Sequence, residues 1–188
     1  RSSCSTGYSE LVAALFQAGF ECVEVRSTDL RAGRLDLSSF QFLALGSGYA
    51  YGDVLGAGWA WAQSLLHHPR MEESIRRFFE RSDTLTLGLG NGAQLLTYLT
   101  DWIPHATLWP TFELNQSEAY ESRLCMVELL DTKSVLTRGM VGSRLPMVTA
   151  MHAGRAAFRH QGLLADSLAQ GQLVCRYVDY HGKPTQQY

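Results

Sequence analysis

The feature that most constrains this chain is a junction at residues 84–99, where a buried strand at 84–89 runs with almost no loop into a helix from about Asn91 to Leu99. A strand feeding a helix directly implies layered packing, with helices laid on a sheet. Such a turn presents one residue at its tip, in a strained backbone conformation, with amide hydrogens of the following turn directed toward it. Covalent catalysis would place Ser or Cys there. Here the tip residue is Gly90, which has no side chain to attack anything.

The same turn can be read as G-x-G-x-x-A, a weak form of the dinucleotide fingerprint, or as a tight structural turn. The fingerprint should follow the first strand of its unit and precede an acidic residue at a strand end by about 20 residues. Glu113 has that spacing, but its surroundings, Trp109, Pro110 and Phe112, do not resemble such a strand.

Upstream, a helix carrying Leu11, Val12, Leu15 and Phe16, capped near Ser9, ends at Gly19, and residues 20–26 read as a strand. A polar connection through Asp29 and Gly33 leads to the apolar run 40–45, the signature of a parallel strand covered on both faces. That strand enters a glycine-rich loop at 46–58, whose glycines free backbone amides to hold a developing oxyanion, or serve only to turn an ordinary surface loop. A helix follows Gly58, and Pro69 starts another with the stripe Met71, Ile75, Phe78 and Phe79. Its charges, Glu72 and Glu73 early and Arg76, Arg77 and Arg81 late, read as a solvated face. Strands are expected at 123–130, 145–148, 155–158 and 173–178, with a helix at 162–170. The pattern is α/β, a mainly parallel sheet with helices on both faces and an appended antiparallel strand region.

The length, 188 residues, suits one domain spanning 1–188, which Arg1 and the turn-like 181–184 suggest is cut from a longer chain at both ends. A net charge of −2 gives no basic excess to follow a phosphate backbone, so nucleic acid is not an expected partner. No apolar stretch approaches a membrane span, and no signal-peptide core opens the chain, so a cytoplasmic protein without membrane contact is expected. Cys4, Cys22, Cys125 and Cys175 form no C-x-x-C pair, and adjacent His67 and His68 do not share a helix face; no metal is assigned. Asp53 reads more readily as a loop brace than as a catalytic carboxylate, and His152 and His160 as lone structural or exposed histidines.

These segments resemble the glutaminase domain of phosphoribosylformylglycinamidine synthase. The resemblance runs through ALFQAGF at 14–20, STDL at 27–30 and AGR at 32–34. Its most specific segment is YAYGDVLGAG at 49–58, close to the family's G-G-F-S-Y-G-D-V-L-G-A-G. It continues in WP at 109–110, NQS at 115–117, YESR at 120–123, RGM at 138–140, LP at 145–146 and RYVD at 176–179. It implies the class I glutamine amidotransferase fold, a flavodoxin-like sheet, and partner synthetase domains of the same polypeptide that use ATP and ammonia drawn from glutamine. It implies no cofactor in this domain. It also implies oxyanion-hole positions at Gly48 and the amide of Asn91, and glutamine-pocket positions at Gly46, Ser47, Tyr49 and Gln94. Glutamine itself is expected as a ligand only if that pocket persists.

The departures fall on the chemistry. Where the family has G-V-C-N-G-C-Q, this chain reads GLGNGAQ at 88–94, with Gly90 for the nucleophile and Ala93 for the second cysteine. The family's A-H-G-E-G loop meets AMHAG at 150–154, Ser47 stands for the first glycine of G-G-F, and the H-P-E segment of the triad would lie beyond Tyr188. No catalytic residue is then intact, and a pseudo-glutaminase is expected. A non-catalytic interaction module, of the kind resembling viral tegument amidotransferase-like proteins, is the alternative.

Overall fold

The computed structural model describes residues 6–50, 56 and 58–186. Two compact units emerge, one of Arg1–Thr107 with Thr111–Glu113, the other of Leu108–Pro110 with Leu114–Tyr188.

The first unit opens with helix α1, Tyr8–Gln17, whose N-cap is Gly7 rather than Ser9. It closes at Gly19 as expected: the Gly19 amide donates to the Phe16 carbonyl and the Phe20 amide to the Leu15 carbonyl, both at 3.0 Å. Residues 20–26, expected as a strand, form no ladder. The Phe20 ring leans on Phe42 at 4.7 Å, and the Cys22 thiol turns back toward the carbonyls of Val12 and Phe20. A cleft of about 160 Å³, lined by Leu15, Cys22, Val25, Phe42 and Ala44 among others, lies where a ladder would have to close. The connection through Asp29, expected as polar loop, contains helix α2, Ser27–Arg31. Its Asp29 pairs with Arg34 at 2.7 Å, and that hydrogen-bonded guanidinium holds the Asp29 carboxyl below its ordinary range.

Strand β1, Phe42–Leu45, pairs in parallel with β2, Leu85–Gly88, in the register Phe42 to Leu85 through Leu45 to Gly88. Among the described residues this pair is what stands of the expected parallel sheet. Between the two strands run α3, Trp59–Leu66, and α4, Pro69–Glu80. The periodic stripe of α4 is buried throughout: Met71, Ile75, Phe78 and Phe79 are each less than one-tenth exposed. The charges of α4 divide in a way the pattern did not show. Arg77 pairs with Glu73 on the solvent side, but Arg81 donates to the carbonyls of Ser38 and Phe40 at 2.7 and 3.0 Å while gripping Asp83. It therefore ties the end of α4 to the start of β1. Helix α5, Asn91–Leu96, and a short strand β3, Thr111–Glu113, which the sequence did not announce, complete the unit.

In the second unit, β4, Glu121–Leu129, lies between β5, Arg144–Met151, and β7, Cys175–Tyr177, in the antiparallel order β5-β4-β7. Strand β6, Arg155–Ala157, and helix α6, Gln161–Ala169, sit between β5 and β7 in sequence. The appended antiparallel region is thus present. Cys125, Val127 and Leu129 alternate into its buried face, as a one-sided sheet requires. Burial there pushes the Cys175 thiol and the Tyr177 hydroxyl above their ordinary ranges. No helix among the described residues is long and apolar enough to cross a membrane.

The turn after β7 is organised by Asp179, whose carboxylate accepts the amides of Lys183 and His181, both at 2.9 Å. The Lys183 amide, above all, holds the carboxyl below its ordinary value of 3.8. A depressed folded value means that the stabilisation is complete above pH 3.8 and is lost as pH falls through the lower folded value. Melting curves across that acid window should therefore show a pH dependence that Asp179→Asn reduces. Parallel curves for the two proteins would contradict it.

Candidate functional site

The junction singled out in the sequence is present, with the helix ending at Leu96 rather than Leu99. Strand β2 ends at Gly88, and Leu89 still extends the parallel ladder by donating to the Leu45 carbonyl at 2.9 Å. Gly90 follows with φ 53° and ψ −118°, and α5 starts at Asn91. An L side chain at those angles costs roughly 1–3 kcal/mol, which functional turns of this type sustain when their surroundings impose the geometry. The imposing contacts are visible. A β-carbon on Gly88 would lie 2.7 Å from the Leu96 side chain and 2.9 Å from the Ala93 backbone, and one on Gly92 would lie 2.2 Å from the Leu45 carbonyl oxygen. Helix and strand are pressed together until only hydrogen fits.

The loop leaving β1 lies over this turn. Gly46 packs under the Tyr8 ring, and a β-carbon there would meet it at 3.2 Å. Ser47 stands beside the tip: a β-carbon built on Gly90 would lie 2.8 Å from the Ser47 β-carbon. Gly48 takes φ 128°, and Tyr49 is exposed. Ala50, buried, donates its amide to the Asn91 side-chain oxygen at 3.2 Å, and the Asn91 amide group donates to the Gln94 side-chain oxygen at 2.9 Å. Asn91 and Gln94 are each 4% exposed, so these side chains bolt the loop to the helix. Sequence reasoning had placed Asn91 by its backbone and Gln94 as a pocket residue; it missed their mutual bond. The spacing of three within one helical turn was the available signal.

The structure therefore brings together Gly46, Ser47, Gly90, Asn91 and Gln94, with Gly48 and Tyr49 on the same short loop. Within 46–50 and 88–94 no Cys, His, Asp, Glu, Lys or Arg occurs, so neither segment supplies a nucleophilic thiol or a base. Asp53 lies outside the described residues, as do its neighbours at 51–55 and 57.

In the second unit, the segment 150–154 is a braced turn. The Asn115 side chain donates to the carbonyls of Met151 and Ala119 and accepts the Gly154 amide at 3.0 Å, while its own amide donates to the His152 carbonyl. Asn115 is thus the organiser of that turn, a role its sequence position did not reveal. His152 is half-buried beside it, and His160 is the exposed residue preceding α6.

Comparison with known proteins gives two results. The whole chain, residues 1–188, matches the family described as the CobB/CobQ-like glutamine amidotransferase domain. Among solved structures, a chain in the structure of PurLQS from Thermotoga maritima superposes with a TM-score of 0.70 at 21% identity, covering 95% of this chain and 72% of that one. At that identity the match speaks for a common fold, a mixed α/β one.

Proposed function

This chain belongs to the CobB/CobQ-like glutamine amidotransferase family, and from that premise we propose that it is the glutaminase-type domain of a phosphoribosylformylglycinamidine synthase-like protein that no longer hydrolyses glutamine. The observation that carries the reading is the tip of the turn: the elbow geometry is complete, and Gly90 occupies it. The fold match to a chain of the Thermotoga maritima PurLQS structure supports the choice within the family and the assignment of synthetase domains as partners. In the same proposal, β1 and β2 with α5 against them are the centre of a flavodoxin-like sheet, and the protein works in the cytoplasm in purine synthesis.

Glutaminase chemistry would need a thiolate at the tip to attack the side-chain amide of glutamine, a base to take its proton, and backbone amides to hold the oxyanion. In this reading Gly48 and the Asn91 amide correspond to the backbone part of that apparatus, whereas no attacking atom stands at Gly90. Removing the nucleophile of such a unit lowers the rate by on the order of 10⁶-fold, which leaves nothing of metabolic use. The domain then acts as a structural partner of its synthetase domains.

The test is glutamate release from millimolar glutamine by the purified chain. None above the buffer background is expected. Steady release that disappears when the Gly48 loop is altered would overturn the proposal.

A further inference from the structure

The β-carbon of Ser47 occupies the space from which any side chain at position 90 would have to start. The distance between the two β-carbons would be 2.8 Å, well inside contact, while the Ser47 α-carbon would stand at 3.4 Å. Rotamers cannot relieve this overlap, because a β-carbon is fixed by its backbone and does not move with χ1. The Ser47 backbone is held as well, since its carbonyl accepts the Thr6 amide at 3.3 Å and Ala50, three residues on, is tied to Asn91.

We propose that Ser47 and Gly90 are a sterically matched pair, in which the β-carbon of Ser47 admits only glycine at the tip and so seals the elbow against any nucleophile. This deepens the functional reading above and rests on it, because it takes Gly90 as the vacated nucleophile position. Its consequence is specific: the site is closed, and restoring a thiol at position 90 by itself does not reopen it. Changing Ser47 to glycine removes the nearer contact and leaves the one at 3.4 Å, which a small backbone adjustment absorbs.

Four variants test the pairing: Gly90→Cys, Ser47→Gly, the double variant Ser47→Gly with Gly90→Cys, and a control double variant Ser47→Ala with Gly90→Cys. Thermal midpoints are measured for each, with mass-spectrometric detection of iodoacetamide at position 90. Gly90→Cys should lower the midpoint by roughly 4 °C or more, overlap with Ser47 and the backbone strain of a non-glycine residue adding together in a chain of this length. The glycine double variant should recover the part of that loss due to overlap, the backbone strain at position 90 remaining, and alkylate readily at the introduced thiol. Alanine keeps the β-carbon, so the control double variant should recover none.

Equal recovery by both double variants, recovery by neither, or a Gly90→Cys protein as stable as the native one would each overturn the pairing. Should Gly90→Cys fail to fold, soluble protein from the glycine double variant alone carries the same support, and failure of both double variants counts against it. Glutamate release by the native chain would sink the functional reading while leaving these midpoints untouched, so the two failures are distinguishable.

Discussion

Gly92→Ala should destabilise the first unit by about 1–4 kcal/mol, among the larger effects of any single substitution in the chain. The added methyl would lie 2.2 Å from the Leu45 carbonyl oxygen and 2.6 Å from its carbon, and both are backbone atoms that cannot swing aside. Moving that carbonyl breaks a further interaction, because it also accepts the Leu89 amide at 2.9 Å, the last rung joining β1 to β2. Overpacking costs about 1–3 kcal/mol, occasionally more, and the lost ladder hydrogen bond adds about 0.5–1.5 kcal/mol. Helix propensity works the other way, since alanine is preferred to glycine inside a helix by roughly 1 kcal/mol. Steric overlap wins. The urea midpoint should fall with an unchanged denaturant slope, and a midpoint equal to or above the native value would show that β1 and α5 are not pressed together as described.

The elbow is legible in the sequence, while the contact between Ser47 and Gly90 is not. Residues 84–94 carry an apolar run, a glycine triplet at alternate positions and a helical continuation, all local signals that survive without tertiary information. The stripe of α4 is readable for the same reason, since it depends on a period within a single element. Ser47 and Gly90 were visible only as two separate departures from the family pattern. Their coupling is a distance between a loop and a turn from different strands, and no periodicity encodes it.

Residues 20–26 failed for the opposite reason. Cys22, Val23 and Val25 favour a strand locally, but a strand exists only where a partner edge accepts its amides, and a cleft of about 160 Å³ lies alongside β1 at that place. Arg81 shows a related limit. Its place in a run of helix-end charges suggested solvent, whereas its guanidinium satisfies two carbonyls of the chain entering β1.

Phe78→Ala should cost about 3–5 kcal/mol, while Phe16→Ala should stay within about 0.5 kcal/mol of the native protein. Both phenylalanines sit on apolar helical stripes that periodicity identifies equally well, so sequence pattern alone predicts similar losses for the two. Burial separates them: Phe78 is 1% exposed and Phe16 is 73% exposed. Phe78 also meets Phe79 edge-on at 6.0 Å, and its carbonyl accepts the Thr84 hydroxyl at 2.9 Å just before β2 begins. The ring also borders the cleft beside β1, so neighbouring side chains have an existing space to enlarge rather than a compact shell to close, and relaxation should recover little of the cost. Equal urea midpoints for the two variants would mean that α1 covers its stripe in solution, and that the exposure of Phe16 does not describe the folded chain.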